Sequence, residues 1–213
     1  MIARDYALEP PKPCLDASPR YEDHPIGWKT ANGYFDDDDV RQAAYWAVFA
    51  GAAGHTYGAN PVWQMMAPGR RGISSPRRSW YEALDLPGAW DMLVLRRLME
   101  SRPLLGAVPD QLLIVGDAGE ASSLIRVRRG NGYVMAYLSN GRPVTLELQR
   151  LSAKKVRAWW FDPRTGRSTA AGEFSTNQAR TFTHAGSPER GNDWVLILDD
   201  AARHFSDPGR GKT

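Results

Sequence analysis

A change of hydrophobic period near residue 106 constrains this chain more than any other feature. Before it, apolar residues recur at helical spacing; after it, they alternate in short runs. One element cannot satisfy both periods, so the chain reads as an α/β part followed by an all-β part. In the first part, an acidic run over residues 36–39 directly precedes an apolar stripe of Val40, Ala43, Ala44, Ala47 and Ala50. Carboxylates at a helix start meet exposed amides and the positive end of the dipole, so the run predicts a helix N-terminus. A calcium loop would need alternating oxygen ligands, a turn glycine and a distal bidentate glutamate, and that pattern is missing. Gly51 and Gly54 end this helix. A second helix reads over residues 86–99, buried through Leu86, Trp90, Leu93, Val94 and Leu98. Arg96 and Arg97 suit its last turn, and Pro103 stops the chain beyond it. Short strands are expected at residues 12–16 and 55–58, the second leaving through a loop at 62–66.

In the second part, seven stretches read as strands: residues 111–115, 123–129, 133–138, 144–148, 156–161, 179–183 and 194–198. Turn chemistry separates several of them, as at Asn131-Gly132, Asn140-Gly141 and Asp162-Pro163. Strands this short and this regularly spaced predict an antiparallel β-sandwich. Trp159, Trp160 and Phe161 fall in one strand and must face both sides, so one aromatic at least lies outside the sandwich core. Either other packing covers it, or it offers a stacking platform for sugar. The expected division is residues 1–106, 107–202 and a flexible tail over 203–213.

Composition excludes several classes. The chain has 213 residues, 42% of them apolar, enough for a real core. No stretch approaches the ~20 consecutive apolar residues of a membrane helix. Residues 1–13 carry Arg4, Asp5 and Glu9 without an apolar run, so no secretory signal is expected there, and the compartment is not readable. Cys14 is the single cysteine, which rules out an internal disulfide. Net charge is +3, and the densest basic run, Arg70, Arg71, Arg77 and Arg78, reads as a loop rim rather than a nucleic-acid stripe. His24 and His55 lack partners at metal-ligand spacing, and no Gly-rich phosphate loop occurs. Ser18 with His24 lacks the glycine flanks of a hydrolase elbow. Neither metal nor cofactor is expected.

Several long motifs in order carry a resemblance. Residues 12–25 (KPCLDASPRYEDHP), 41–51 (RQAAYWAVFAG), 54–58 (GHTYG) and 62–65 (VWQM) resemble segments of the apiosidase-like glycoside hydrolases. Residues 155–166 (KVRAWWFDPRTG) and 193–200 (DWVLILDD) resemble that family's C-terminal β-domain, which carries a collagen-binding label. The resemblance implies a (β/α)8 barrel followed by a β-sandwich. Such barrels need ~250 residues, so residues 1–106 are expected to hold only the last two βα units.

The resemblance also implies which residues carry chemistry. Glycosidases use two carboxyl groups flanking the scissile bond. In barrels that resemble this one the general acid follows an early strand, which would lie upstream of Met1. Where the family reads Gly-Glu-Pro-x-Tyr-Glu, residues 17–22 read ASPRYE, so Ser18 takes the place of the first carboxylate. A neutral hydroxyl cannot stabilise an oxocarbenium-like centre as a carboxylate does. Glu22 survives, either as the working carboxylate or in a subsite or structural role. His55 and Tyr57 follow a candidate strand end, where barrel residues tend to be functional, although His55 could equally be a satisfied structural histidine. Trp63 and Gln64 suit a sugar subsite through ring stacking and an amide, and Tyr21 is similar.

These readings imply carbohydrate as partner, plant-type glycans included, with no nucleic acid and no membrane. Three functions follow: a glycoside hydrolase remnant inactive alone, a non-catalytic glycan- or matrix-protein-binding module built on the sandwich, or a sandwich that only buttresses the barrel. Two βα units cannot close a barrel, so association through the open barrel surface is expected.

Overall fold

The computed structural model describes residues 1–210. They form two compact units, Met1–Val48 with Ala52–Leu93, and Phe49–Gly51 with the chain from Val94 onward.

The first unit contains α1 (Ile2–Tyr6), β1 (Leu15–Asp16), α2 (Asp37–Phe49), β2 (Gly54–His55), α3 (Asn60–Trp63) and the start of α4 (Pro87–Glu100). β1 and β2 pair in parallel, Leu15 opposite Gly54 and Asp16 opposite His55. Parallel neighbours need a long crossover, and α2 lies within the chain between them. The acidic run starts α2 as the sequence predicts. Asp39 N–H donates to Asp36 Oδ1 at 3.3 Å, and Asp36 N–H donates back to Asp39 Oδ2 at 3.2 Å. This is the reciprocal logic of a capping box, built from two aspartates. Val40, Ala44 and Ala47 of the predicted stripe are buried. Arg41 is buried as well, bonded to Asp91 at 2.8 Å and to Asp38.

The second unit is dominated by a six-stranded antiparallel sheet. Its strands are β3 (Val108–Pro109), β4 (Ile125–Gly130), β5 (Tyr133–Leu138), β7 (Lys155–Phe161), β8 (Ser168–Ser175) and β10 (Trp194–Asp200), in the order β3-β4-β5-β10-β7-β8. A separate antiparallel pair joins β6 (Val144–Leu146) to β9 (Arg180–Phe182). Val144, Leu146 and Phe182 of that pair share one core with Val127, Ala136 and Leu196 of the large sheet. Alternation places Val134, Ala136 and Leu138 in this core, while Tyr133, Met135 and Tyr137 face the other side and are buried too. The sheet is therefore covered on both faces. Trp160 joins the core with β6 and β9, whereas Trp159 and Phe161, on the opposite face, are 8% and 0% exposed. Packing covers the aromatic expected outside the core.

Two strand expectations need correction. Residues 111–115 do not form a strand: Gln111–Leu113 is a 3-10 turn, and Ile114 alone bridges to Leu146. The reason is chemical. The Gln111 amide imitates a strand backbone, donating to Ile125 O at 2.9 Å and accepting from Val127 N–H at 2.7 Å, so its side chain satisfies the β4 edge. The strand β8 has no counterpart in the expected set, because it lies at the sheet edge and is largely exposed. Of the tail read as flexible, residues 203–210 are described: Arg203 donates to Asn131 Oδ1 at 2.7 Å, and Phe205 meets the Tyr133 ring edge-on. Residues 211–213 lie outside the described residues. Among those described, no helix is long and apolar enough to cross a membrane.

Candidate functional site

Beyond β1 the chain leaves regular structure and walls a groove of about 430 Å³. Ser18, Arg20, Tyr21, His24, Trp28 and Trp63 contribute to its lining. Of the residues singled out in the sequence, Ser18, Tyr21 and Trp63 therefore meet at one place. Arg20 and His24, which were assigned no sugar-binding role from sequence, join them, as does Trp28. Trp28 is 73% exposed, and it follows Gly27 with both residues in the left-handed region (φ +66° and +60°). A left-handed backbone is costly for a bulky residue and is characteristic of sites that hold a side chain in place for a task. The His24 ring meets Trp28 edge-on at 4.5 Å and holds Pro25 O through Nδ1 at 2.8 Å. Trp63 is 46% exposed and is fixed at its indole N–H by Asn60 Oδ1, 3.1 Å away. Among the described residues lining the groove, none carries a carboxylate.

Glu22 is turned elsewhere. It is 3% exposed, and its Oε2 accepts from Tyr57 O–H at 2.6 Å and from the Gly88 amide at 3.0 Å. Gly88 lies in the first turn of α4, so Glu22 and Tyr57 together serve the helix N-terminus, where an anion is favoured. Burial raises the Glu22 carboxyl above its ordinary 4.5, with the Tyr57 hydrogen bond opposing. The backbone of Glu22 is also held, its N–H on Gly58 O at 2.9 Å and its carbonyl by Asn60 N–H at 2.8 Å. A Cβ on Gly88 would stand 2.4 Å from Glu22 Oε2 and 2.5 Å from Val40 Cγ2. Alanine gains about 1 kcal/mol of helix propensity over glycine, but this overlap costs about 1–3 kcal/mol by overpacking. Gly88→Ala is therefore expected to lower the unfolding midpoint, measured by denaturant titration, and a raised midpoint would refute the packing described.

His55 and Asp16 sit side by side at the ends of β2 and β1, with Nδ1 3.0 Å from Asp16 Oδ2. The imidazole is 4% exposed, and its Nε2 is buried without a hydrogen-bond partner among the described residues. Burial holds His55 below its ordinary 6.5, and Asp16 opposes that shift. Just below pH 6.5 the unfolded chain accordingly binds a proton that the folded chain refuses. Stability rises with pH through that window and is lost as pH falls through it. His55→Gln is expected to flatten this slope in unfolding titrations across the window; an unchanged slope would place its origin elsewhere.

Gln64 faces its own loop rather than the groove. Its amide donates to Asn60 O, Asn60 Oδ1 and Ile73 O at 2.9–3.0 Å and accepts from Ile73 N–H at 2.8 Å. Asn60, fully buried, links Trp63 and Gln64 to Asp23 O and Ser74 O. Arg77 and Arg78 of the basic run close on buried Asp23, so half of that run serves a buried carboxylate. Among the described residues, no group of three or more His, Cys, Asp or Glu side chains could hold a metal ion.

Residues 1–106 match the family model described as "Apiosidase-like, catalytic domain". Residues 1–106 belong to the apiosidase-like family. Residues 108–199 match a second model, described as "Putative collagen-binding domain of a collagenase". Two solved structures resemble this chain closely. One, described as a glycoside hydrolase, is 38% identical with a TM-score of 0.92 and covers 96% of this chain and 46% of its own. The other, a glycoside hydrolase family 5 protein from Bacteroides vulgatus ATCC 8482, is 37% identical with a TM-score of 0.89 over 94% of this chain and 44% of its own. This chain thus spans less than half the length of these relatives. No curated protein matches it.

Proposed function

We propose that this chain is the C-terminal portion of a glycoside-hydrolase (β/α)8 barrel with an attached β-sandwich, and that its first unit binds carbohydrate without cleaving it. The parallel β1–β2 pair, with α2 between its strands in the chain, supports the barrel reading. So does the likeness to glycoside hydrolases more than twice as long. The observation that carries the non-cleaving reading is the fate of the carboxylates. Ser18, which the motif likeness sets at the family's carboxylate position, lines the groove, and Glu22 bonds to the first turn of α4. Hydrolysis needs two placed carboxyl groups, one to protonate the leaving oxygen and one to attack or activate water. The groove offers aromatic faces at Trp28, Trp63 and Tyr21 instead, surfaces on which sugar rings stack. His55, Tyr57 and Gln64 brace the loops around it.

Incubation of the full chain with aryl glycosides and pectic oligosaccharides tests this reading. The expected result is no turnover above the uncatalysed rate for wild type and for Glu22→Gln alike. Turnover that disappears in Glu22→Gln would overturn it. A second reading rests on the match of residues 108–199: the second unit binds a matrix protein, and retention on immobilised collagen would support it.

A further inference from the structure

We infer that the second unit carries a peptide site at one end of its sandwich, which holds a C-terminal residue with a branched apolar side chain. The inference goes beyond the carbohydrate and matrix-protein readings above and depends on neither. A cavity of about 150 Å³ opens between the β4–β5 turn and residues 150–153, which lead into β7. Its floor is Val134, Leu151, Val156 and Leu198, all of which belong to the sandwich core or pack against it. An aliphatic cavity of ~150 Å³ holds a group the size of benzene, so this one admits a leucine side chain. A sugar would bury its hydroxyls against the same walls at a cost.

The second observation is the charge over that floor. Arg150 closes the 3-10 turn Leu148–Arg150 and lines the cavity. Its Nη1 donates to Leu112 O at 3.3 Å, while Nε and Nη2 make no hydrogen bond or ion pair among the described residues. A guanidinium tethered at one nitrogen and unengaged along its Nε–Nη2 edge matches a carboxylate. The other charges of the lining are already answered. Arg129 pairs with Asp110 at 2.7 Å, and Asp200 accepts the Ala202 amide at 3.1 Å with Arg203 4.0 Å away. Among the described residues of the lining, the uncompensated charge is therefore that of Arg150, and it is positive.

The third observation is in the backbone. The N–H groups of Ser152 and Ala153, which also line the cavity, have no acceptor among the described residues. Successive free amides beside a cation favour an anion. Apolar floor and anion-holding rim share one small cavity, so the side chain and the carboxylate they take belong to one residue. A chain terminus supplies that pairing, its α-carboxylate two bonds from its own Cβ, and capture by backbone amides is a recurring way to bind one. Leu112, 73% exposed beside Arg150, offers apolar surface to the residue before the terminus.

NMR titration of the full, isotope-labelled chain with acetyl-Ala-Ala-Leu, as the free acid and as the C-terminal amide, tests the inference. The acid is expected to shift the Ser152 and Ala153 amides saturably and to bind about tenfold or more tighter than the amide, the range of a hydrogen bond to a charged group. Acetyl-Ala-Ala-Gly acid should bind about tenfold or more weaker than the leucine acid, as burial of one leucine side chain implies. Arg150→Gln should bring the leucine acid down to the affinity of its amide. Arg150→Lys keeps the charge but loses the fork, and its acid-to-amide ratio should fall between those of wild type and Arg150→Gln. Equal affinity for acid and amide, or an acid preference that survives in Arg150→Gln, overturns the inference. Tighter binding of an internal acidic peptide, acetyl-Leu-Glu-Ala amide, also overturns it, as does binding of none of these at millimolar concentration.

Discussion

Arg102→Ala is expected to destabilise the second unit by about 3–5 kcal/mol, the cost of stranding a buried charge. Arg102 has a fully buried side chain, and its fork grips Asp199 of β10 through Nε to Oδ1 at 2.8 Å and Nη2 to Oδ2 at 2.6 Å. Its remaining nitrogen, Nη1, donates to Ser101 O at 2.7 Å, and its Cζ lies 4.9 Å from the Phe205 ring centroid. Alanine removes all of these and leaves the carboxylate of Asp199, 3% exposed, without its counter-charge. Removing both charges with Arg102→Met and Asp199→Leu should cost far less than either single change, because no charge is then stranded. Urea unfolding of the four proteins, read as a double-mutant cycle, measures the coupling. A loss below about 1 kcal/mol, the value of an exposed pair, would contradict the buried geometry.

The second large effect is expected in the first unit at Arg41. Its side chain is 1% exposed and answers three carboxylates: Asp91 at 2.8 Å, Asp37 at 3.5 Å and the closely bonded Asp38. Asp37 and Asp38 belong to the run that starts α2, whereas Asp91 comes from α4, so one guanidinium ties two helices together. Arg41→Ala leaves Asp91 buried and facing like charges, and about 3–5 kcal/mol is again the expected cost. Lysine restores the charge but not the several-pronged donor set, so Arg41→Lys should recover only part of the loss. Circular dichroism through a denaturant series checks both variants. Equal stability of wild type and Arg41→Lys would show that the fork is dispensable.

Legibility from sequence followed the reach of the signal. The helices α2 and α4 stood out because each repeats an apolar stripe, and α2 adds a charged start, but the α4 stripe is buried only in part: Leu86 and Leu98 are buried, whereas Trp90 and Leu93, expected to be buried, are exposed. β5 was readable to the residue, since an unbroken apolar run between turn residues leaves little freedom. β8 was not, because an exposed edge strand has no buried face to impose a period. Gln111 shows a different limit: an amide side chain can complete a sheet edge, and no alternation marks it. At the groove, Ser18, Tyr21 and Trp63 were accessible through motif likeness. Arg20 and His24 lie in the same motif but were given no sugar-binding role, and Trp28 lies outside every motif, because a loop with left-handed residues brings it to the groove and such loops have no periodicity. The commitments of Glu22 to Gly88, Gln64 to Ile73 and His55 to Asp16 are long-range hydrogen bonds, which residue type alone does not disclose.

The most direct test of a sugar-holding, non-cleaving first unit is an NMR titration of the indole N–H resonances with a pectic oligosaccharide, followed by mass analysis of the recovered sugar. Eight tryptophans report across the chain. Saturable shifts centred on Trp28 and Trp63, with the oligosaccharide recovered intact, are the predicted result. Shifts confined to Trp160 and Trp194 of the second unit, or shortened sugar in the recovered sample, would contradict it.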